Sequence, residues 1–476
     1  MTNQKHIHLT AICGTGMGSF AGMLKERGYR VTGSDQDVYP PMSTQLASLG
    51  IEIKKGYSPA NLDDRPDLVV IGNAIRADNP EARAASERNI RCLSFPAALR
   101  ELFLEDRHSI VVAGTHGKTT TASILAWVLE KAGLSPGFLI GGILKNFGTG
   151  CQVGQGQYFV VEGDEYDTAF FDKGPKFLHY QPKTAILTSV EFDHGDIYRD
   201  LEHVKSAFKK FLEIIPPGGL AVACADYPHL LELLPHAKCP VETYGFARGA
   251  LWSARDIRFS GRGASFKVLR GGGVYGSFET PLSGRQNIQN TLAVIAVAHR
   301  LSLSTESLQA ALASFQGIKR RQEIFAEVNG IILIDDFAHH PTKVRETVFA
   351  IRRRFPRRRL WAVFEPRTNT SRRNFFQKEY LTSFEGADRV ILAGVFHPDQ
   401  IEKEMRLDPE LLARGLTRPG RDAIFIPGTD DIVSFLSAEA RPKDVVLIMS
   451  NGGFDGIYEK LPQALMERPG ARKKGE

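Results

Sequence analysis

A short glycine-rich run in the middle of the chain has the residue types and spacing of a phosphate-binding turn. It reads GTHGKTT at residues 114–120, follows the apolar segment 109–112 and opens a stretch of helix-forming residues at 122–131. The backbone N–H groups of such a strand–turn–helix junction point at one spot and bind phosphate. Lys118 adds a positive charge for the outer phosphates, and Thr119 supplies a hydroxyl ligand for magnesium. Because the usual P-loop has a longer spacing before its Gly-Lys pair, the pattern predicts a shortened nucleotide site.

Two later apolar segments lead into side chains that can bind the metal ion of a nucleotide. Glu162 ends the segment that starts at residue 158, and His194 follows the segment 184–190. The carboxyl ends of parallel strands meet at one edge of a sheet, so both side chains are expected near the P-loop. A carboxylate and a neutral imidazole are metal ligands. The alternatives are a solvated acidic loop for Glu162 and a structural role for His194.

A second glycine-rich turn lies near the N-terminus. It reads GTGMG at residues 14–18, between an apolar strand and a predicted helix, and Asp35 ends the next strand. This resembles the fingerprint of a dinucleotide-binding turn, except that its third glycine falls one position early. Such a turn binds a diphosphate, and the pattern alone does not separate a nicotinamide cofactor from a UDP-sugar. A purely structural glycine turn is the alternative.

Basic and acidic residues cluster at a predicted junction near residue 320. The run GIKRRQE at residues 317–323 contains Arg321, which either neutralises charge on a γ-phosphate or belongs to a basic linker. The next strand ends in Asp336, and His339 follows shortly before a proline that starts a helix. We expect one of these two side chains to lie near the nucleotide.

These candidate residues need strands and helices that alternate along the chain, and the apolar pattern predicts that alternation in three blocks. We place the domains at residues 1–107, 108–318 and 319–476, with an α/β fold and largely parallel sheets. Gly-rich turns predict antiparallel hairpins at 252–280. The other predicted strands are 6–12, 29–34, 52–54, 67–72, 157–162, 184–190, 220–225, 330–335, 359–364, 389–392 and 444–449, and the predicted helices include 14–27, 42–49 and 287–300.

The composition restricts the class of protein. The 476 residues are 42% hydrophobic and 24% charged, which is typical of a soluble globular protein. The net charge of +6 permits small anionic substrates and does not require nucleic acid. Five scattered cysteines without CxxC spacing indicate a reducing compartment. The polar N-terminus and the absence of a long apolar run predict a cytoplasmic protein without a membrane partner. The arginine clusters at 352–354 and 357–359 flank Pro356 and predict a solvated helix end, because the arginines do not alternate with aromatic residues as in a nucleic-acid patch.

Taken together, these motifs resemble the Mur ligase family in their order and over nearly the whole chain. The shortened P-loop has that family's form, and GRQNIQN at 284–290, GIKRRQE and DDFAHHPT resemble further family segments. Gln286 stands where the family usually has His. The resemblance implies a Rossmann-like UDP-binding domain, a central P-loop ATPase domain with a small antiparallel region, and a C-terminal Rossmann-like domain.

The resemblance also implies the residues of each site. The nucleotide contacts that it implies are Gly114, Thr115, His116, Gly117, Lys118, Thr119, Thr120, Asn287, Asn290, Arg321, Asp336 and His339. The UDP-sugar contacts are Gly14, Thr15, Gly16, Met17, Gly18, Ser34, Asp35 and Asn73. The peptide contacts are Arg367, Asn369, Ser450 and Asn451. Mg²⁺ would be held by Thr119, Glu162 and His194, and catalysis would rest on Lys118, Glu162, His194 and Arg321.

The activity that the resemblance implies is ATP-dependent amide formation on UDP-N-acetylmuramate through an acyl phosphate. The segments 39–44, 365–370 and 449–454 are similar to the branch that adds the recovered tripeptide L-alanyl-γ-D-glutamyl-meso-diaminopimelate during cell-wall recycling. The alternatives are a ligase that adds L-alanine, a nicotinamide-dependent dehydrogenase and a module that only hydrolyses ATP. We expect ATP, the UDP-sugar and the peptide as partners, and a monomer or weak homodimer.

Overall fold

Three β-sheets follow one another along the chain, as the alternating pattern predicts. The computed structural model describes residues 4–38, 42–193, 195 and 197–468. The first sheet has five parallel strands in the order β3-β2-β1-β4-β5. They are β1 (His6–Thr10), β2 (Arg30–Asp35), β3 (Glu52–Lys55), β4 (Leu68–Ile71) and β5 (Cys92–Ser94). The helices are α1 (Thr15–Glu26), α2 (Met42–Ser48), α3 (Pro80–Glu87) and α4 (Phe95–Leu99).

The second sheet has ten strands, and its middle strands carry the P-loop. Its strands are β6 (His108–Ala113), β7 (Gly137–Leu144), β8 (Thr149–Gln152), β9 (Tyr158–Gly163), β12 (Thr184–Leu187), β13 (Leu220–Cys224), β14 (Val241–Tyr244), β15 (Trp252–Ser260), β16 (Gly263–Arg270) and β17 (Gly273–Thr280), and the separate hairpin is β10 (Asp167–Ala169) and β11 (Asp172–Pro175). The order is β17-β16-β15-β14-β13-β12-β6-β9-β7-β8. Its helices are α5 (Lys118–Lys131), α6 (Leu201–Glu213), α7 (Pro228–Leu231), α8 (Arg285–Arg300) and α9 (Thr305–Ala313). The strands β15 to β17 pair antiparallel, which confirms the predicted hairpins.

The third sheet has six strands in the order β18-β19-β23-β20-β21-β22, all parallel except the edge strand β18. They are β18 (Glu323–Val328), β19 (Ile331–Asp336), β20 (Leu360–Phe364), β21 (Arg389–Leu392), β22 (Asp422–Phe425) and β23 (Val445–Met449). The helices are α10 (Pro341–Arg354), α11 (Tyr380–Ser383), α12 (Pro409–Leu416), α13 (Thr429–Glu439) and α14 (Ile457–Met466). Apolar clusters lie on both faces of this sheet, which is the arrangement of a doubly wound fold.

One apolar core joins the first two sheets. Phe20 on α1 contacts the ring of Phe103 with centroids 5.7 Å apart, and Phe103 contacts Phe159 on β9 at 6.4 Å. Helix α8 is buried along most of its length, as expected for a helix whose residues are apolar on several faces. The third sheet has its own two clusters, and the Phe192 and Phe376 rings, with centroids 6.5 Å apart, form one of its apolar contacts with the rest of the chain. No helix within the described ranges has the length and apolar character needed to cross a membrane.

One predicted strand is shorter than its apolar pattern indicates. The segment 184–190 pairs with β6 only as far as Leu187. The Thr188 N–H still donates to the Ala113 carbonyl at the end of β6, at 2.9 Å. The chain then turns to the P-loop, where the Ser189 carbonyl accepts from the Thr115 N–H at 3.0 Å. The sequence pattern does not predict the strands β5, β7, β8, β10, β11, β14, β18 and β22. The exact domain boundaries stay a prediction.

Several arginines of the clusters 352–354 and 357–359, which the sequence predicts to lie at a solvated helix end, contact other parts of the protein. The Arg359 guanidinium contacts the Asp444 carboxylate at 2.6 Å, and Arg352 donates to the Gly386 carbonyl at 2.9 Å. Arg353 lies over the Phe259 ring at 5.6 Å. Much of the positive charge at this helix end is therefore engaged within the protein.

Candidate active site

The P-loop connects β6 to α5 and needs glycine at two positions. Gly117 precedes α5 with a φ of 83°, and a Cβ there would lie 2.8 Å from the Asn290 Oδ1. Gly114 has a φ of 140°, and a Cβ there would collide with the Thr188 hydroxyl. Both φ values lie in the region that favours glycine. Both positions therefore require glycine, because a larger side chain would collide with the residues beneath the turn.

Lys118 is held at this turn by two acceptors. Its ammonium group donates to the Gly114 carbonyl at 2.7 Å and to the Glu165 carboxylate at 2.8 Å. Burial alone lowers the pKa of Lys118, but the facing carboxylates of Glu165, Asp164 and Glu162 outweigh burial and raise it. Lys118 is therefore charged at neutral pH, beside the backbone N–H groups at the start of α5.

Glu162 lies at the next strand end, beside the first turn of α5. Its carboxylate accepts from the Thr119 hydroxyl at 3.0 Å and from the Gly141 N–H at 2.6 Å. Burial and the nearby Asp164 carboxylate raise the pKa of Glu162, so a cation beside it would be favourable. A hydroxyl and a carboxylate are hard oxygen ligands that fit Mg²⁺. The third predicted ligand, His194, lies outside the described residues.

Two buried histidines and the partly exposed Glu191 join the P-loop to the third sheet. The His116 Nε2 lies 2.7 Å from the Glu191 carboxylate, and the His116 and His340 rings are 4.6 Å apart. Their ligand atoms lie within 4.8 Å of one another, as in a metal site. However, the ring nitrogens of His340 already contact the Phe192 carbonyl and the Thr342 N–H, both at 3.3 Å. The group is therefore a hydrogen-bonded contact between the two sheets.

This contact predicts an acid-sensitive stability. Burial opposes ionisation of Glu191, but the hydrogen bond and charge of His116 lower its pKa to about 2. A carboxylate with a lowered pKa in the folded state stabilises the protein fully above its unfolded value and loses that contribution as pH falls. Glu191→Gln is expected to lower the free energy of unfolding by about 2 kcal/mol at pH 7. The difference from wild type should narrow as pH falls from about 4.5 towards 2.

Urea unfolding of both proteins across this pH range measures the difference. A gap that stays constant down to acid pH would contradict the assigned ionisation. Wild type itself should also weaken in acid, because burial and His116 lower the pKa of His340 to about 3 and the unfolded chain takes up that proton first.

A cleft between the second and third sheets gathers most of the predicted nucleotide residues. The predicted residues that line it are Thr115, His116, Gly117, Lys118, Thr119, Thr120, Asn287, Arg321, Asp336 and His339. Gly114 and Asn290 do not line it and support the turn from below. Arg321 lies beside the Phe337 ring at 4.7 Å, whereas Arg320 donates to Asp335 at 3.0 Å and to the carbonyls of the 450–452 turn. Of the two arginines, Arg321 faces the cleft and Arg320 holds the third sheet together.

Further residues line the cleft without having been predicted. They include Asp193, Gln286, Gln322, His340 and Lys343. A second cavity of about 550 Å³ continues past Gln286 and Asn287 to Phe246, where the Arg285 guanidinium lies 3.9 Å from the ring. Lys343 and Gln322 each follow a predicted site residue closely in sequence, but a lysine or a glutamine by itself does not indicate a nucleotide contact. A flat cation–aromatic pair is suited to stacking on a base.

A separate cavity of about 640 Å³ lies at the carboxyl edge of the first sheet. It is lined by the predicted residues Gly14, Thr15, Gly16, Met17, Asp35 and Asn73. Asp35 accepts from the Cys13 N–H at 2.8 Å, which fixes the glycine turn. Two of the predicted UDP-sugar contacts do not line this cavity. Ser34 is buried and donates to Glu81, and a Cβ at Gly18 would overlap Met42. Gly18 is thus needed for the close approach of α1 and α2.

The far wall of this cavity comes from the central domain. Tyr166, Thr168 and Lys176 line it, and the Lys176 ammonium lies 4.1 Å from the centre of the Tyr166 ring. These residues follow Glu162 and Glu165 along the chain. The segment 162–168 therefore contacts the P-loop at one end and forms the wall of the N-terminal cavity at the other.

The predicted peptide residues surround Glu365 at the carboxyl edge of the third sheet. The Arg367 guanidinium lies 3.6 Å from the centre of the Phe396 ring and 3.3 Å from the Glu365 carboxylate. The Ser450 hydroxyl donates to the same carboxylate, and its N–H donates to the Asp336 carbonyl at 3.1 Å. Burial raises the pKa of Glu365. This group is therefore adjacent to the nucleotide cleft and presents a rigid guanidinium.

Two predicted peptide residues lie beside this group. The Asn369 side chain accepts from Arg372 at 2.8 Å. The Oδ1 of Asn451 is buried and has no hydrogen-bond partner among the described residues. Of the segment 39–44, residues 39–41 lie outside the described residues.

Three family models match successive parts of the chain. They are "Mur ligase family, catalytic domain" at residues 6–107, "Mur ligase middle domain" at 112–298 and "Mur ligase, glutamate ligase domain" at 320–452. The UDP-N-acetylmuramate–L-alanyl-gamma-D-glutamyl-meso-2,6-diaminoheptandioate ligase of Haemophilus influenzae is 40% identical over 458 residues, which cover 96% of this chain and 98% of that protein. A UDP-N-acetylmuramate–L-alanine ligase of Acetivibrio thermocellus is 35% identical over 94% of this chain and 93% of its own length.

The fold comparison gives the same relationship. The crystal structure of a murein peptide ligase from Psychrobacter arcticus has a TM-score of 0.72 at 36% identity, covering 97% of this chain and 99% of that one. The matched regions contain the P-loop, the N-terminal glycine turn and the residue group around Glu365. The chain belongs to the Mur ligase family.

Proposed function

We propose that this protein is an ATP-dependent ligase that joins UDP-N-acetylmuramate to L-alanyl-γ-D-glutamyl-meso-diaminopimelate and releases ADP and phosphate. The single observation that carries the proposal is the position of segment 162–168 between two cavities. Glu162 and Glu165 contact the P-loop, and Tyr166 lines the N-terminal cavity. A UDP-sugar in that cavity can direct its carboxylate towards a phosphate on the P-loop. The names of the Haemophilus influenzae and Psychrobacter arcticus relatives supply the choice of peptide.

The chemistry needs activation because a carboxylate is a poor electrophile at neutral pH. Transfer of the γ-phosphoryl group from ATP to the sugar's carboxylate forms an acyl phosphate and ADP. The free amine of the peptide's L-alanine then attacks the acyl carbon. A C–N bond forms, the bond from carbon to the phosphate oxygen breaks, and the amine loses a proton as phosphate leaves.

The residues of the cleft are suited to the first step. Lys118 and the N–H groups at the start of α5 bind the β- and γ-phosphates, which turns Lys118 from Glu165 towards ATP. Arg321 neutralises charge on the transferred group. Asp336 holds the cleft in shape, since its carboxylate accepts from the N–H groups of Gln322 and Ala338, both at 2.8 Å. Mg²⁺ held by Thr119, Glu162 and His194 would offset the repulsion between the two anionic substrates.

The residues around Glu365 are suited to the second substrate. Arg367 is held flat between Phe396 and Gly452, and a planar guanidinium binds a carboxylate of the peptide with two hydrogen bonds. The predicted peptide contact Asn451 directly follows Ser450, whose hydroxyl fixes Glu365 beneath Arg367. The peptide thus lies next to the acyl phosphate across the cleft.

The product decides between the two family branches. The protein is incubated with ATP, Mg²⁺ and UDP-N-acetylmuramate, with either the tripeptide or L-alanine, and the products are identified by mass. We expect the tripeptide adduct. Formation of the L-alanine adduct instead would replace this function with that of the alanine-adding ligase, and ADP release that is independent of both would reject the ligase assignment.

A further inference from the structure

One hydrogen bond joins the predicted peptide loop to the central domain. The Thr370 hydroxyl donates to the Asp193 carboxylate at 3.0 Å across a sequence separation of 177 residues. Both side chains are nearly inaccessible to solvent, with 5% and 7% of their surfaces exposed. Asp193 lines the nucleotide cleft and directly precedes His194, whereas Thr370 follows Arg367 and Asn369. The bond therefore links the two halves of the proposed site.

The loop that carries Thr370 is held rigid by its own hydrogen bonds. The Ser371 hydroxyl accepts from the N–H groups of Arg367 at 3.1 Å and Thr368 at 3.0 Å. Arg372 reaches the Asn369 side chain at 2.8 Å and the Phe396 carbonyl at 3.1 Å. Because these contacts leave the loop little freedom, the position of Thr370 determines the position of Arg367.

Other contacts also join the two domains, and near the peptide loop the Phe192 and Phe376 rings lie with their centroids 6.5 Å apart. Lys145 pairs with Glu323 at 2.7 Å, and Lys343 on α10 donates to Gln286 on α8. Gly284 approaches Ala350 so closely that a Cβ on Gly284 would lie 2.7 Å from that of Ala350. These contacts do not involve Thr370. Loss of its hydroxyl should release the peptide loop while the nucleotide side stays closed.

We propose that the Thr370–Asp193 hydrogen bond is a latch that positions the bound peptide's amine against the acyl phosphate. This inference rests on the proposed function. Thr370 acts as a positioning residue: it holds Arg367 and the peptide loop in register with the end of the central sheet. Without the hydroxyl, the acyl phosphate still forms, but the amine reaches it less often and water competes for it.

The test compares Thr370→Val, which removes the hydroxyl at similar volume, with Thr370→Ser, which keeps it. Acyl phosphate is trapped with hydroxylamine in the absence of peptide, and ligation is followed as ADP and as tripeptide adduct. We expect Thr370→Val to lower kcat for ligation by about 10- to 100-fold, as for misplaced reactants. Its hydroxamate yield should stay near that of wild type, and ADP release should exceed adduct formation. Thr370→Ser should resemble wild type.

Other results would overturn the latch. Unchanged ligation by Thr370→Val means that the hydrogen bond is not needed. A parallel loss of hydroxamate and adduct, or equal impairment of Thr370→Ser, indicates a general structural role, which thermal melting of both variants would reveal. If wild type forms neither hydroxamate nor adduct, the proposed function fails and the latch with it. If wild type forms the adduct and Thr370→Val forms it equally well, the latch is rejected and the proposed function stands.

Discussion

Replacing Lys118 by alanine is expected to reduce ADP release in the presence of all substrates by about 10³-fold. The ammonium group is the cation that hydrogen-bonds within the P-loop turn itself, at 2.7 Å from the Gly114 carbonyl. Its charge stabilises the phosphate oxygens as the γ-phosphoryl group transfers. The rate of ADP release measured with ATP, UDP-N-acetylmuramate and tripeptide gives the effect. Full turnover by Lys118→Ala would contradict the role assigned to this residue.

The lower activity of Lys118→Ala can arise from lower stability or from weaker phosphate binding, and these two causes must be separated. Lys118→Ala removes the ammonium that faces the buried Glu165 carboxylate, and breaking a buried pair costs about 3–5 kcal/mol. The double variant Lys118→Ala with Glu165→Gln removes that charge and should melt nearer to wild type, yet remain inactive. Lys131→Ala, an exposed position at the other end of α5, is the matched control and should keep full activity.

Replacing Arg367 by alanine is expected to raise the tripeptide KM by about 10- to 100-fold while the ATP KM stays within about twofold. A hydrogen-bonded guanidinium–carboxylate contact has this magnitude, and Arg367 lies on the peptide side of the cleft. Initial rates measured while each substrate is varied in turn separate the two constants. An unchanged tripeptide KM would show that the peptide binds elsewhere.

The neighbours of Arg367 allow the same test without removing its charge. A Cβ at Gly452 would collide with the Arg367 side chain, so Gly452→Ala should displace the guanidinium from the Phe396 ring. We expect this variant to raise the tripeptide KM in the same direction. Arg357→Ala removes an exposed arginine in the turn that follows α10 and should leave both KM values unchanged.

Much of the fold follows from local patterns. The segment 108–131 contains an apolar strand, a glycine turn and helix formers in immediate succession, and these appear as β6, the P-loop and α5. Elements with weak patterns were not predicted: β8 is only four residues long, and its sequence TGCQ has no apolar alternation. The strand at 184–190 ends early because Ser189 bonds to Thr115 of the P-loop, a partner far away in sequence.

The candidate sites also contain residues that the sequence predicts correctly and residues whose orientation only the structure decides. The cavity residues at glycine turns and strand ends were predictable because a parallel sheet brings those ends to one edge. Ser34 and Gly18 have suitable types and positions, yet one is buried against Glu81 and the other packs against Met42. Alternation along a strand and packing between helices decide such orientations, and a motif does not encode them.

The sequence by itself determined the family, the three α/β units and the phosphate-binding turns, because each depends on residues that are close together along the chain. Only the tertiary structure decided that Lys118 faces Glu165, that Tyr166 lines the N-terminal cavity and that Thr370 bonds to Asp193. These contacts join residues that are 47 to 177 positions apart or lie in different domains. They depend on strand order and on how the third domain packs against the second, and short sequence patterns carry no information about either.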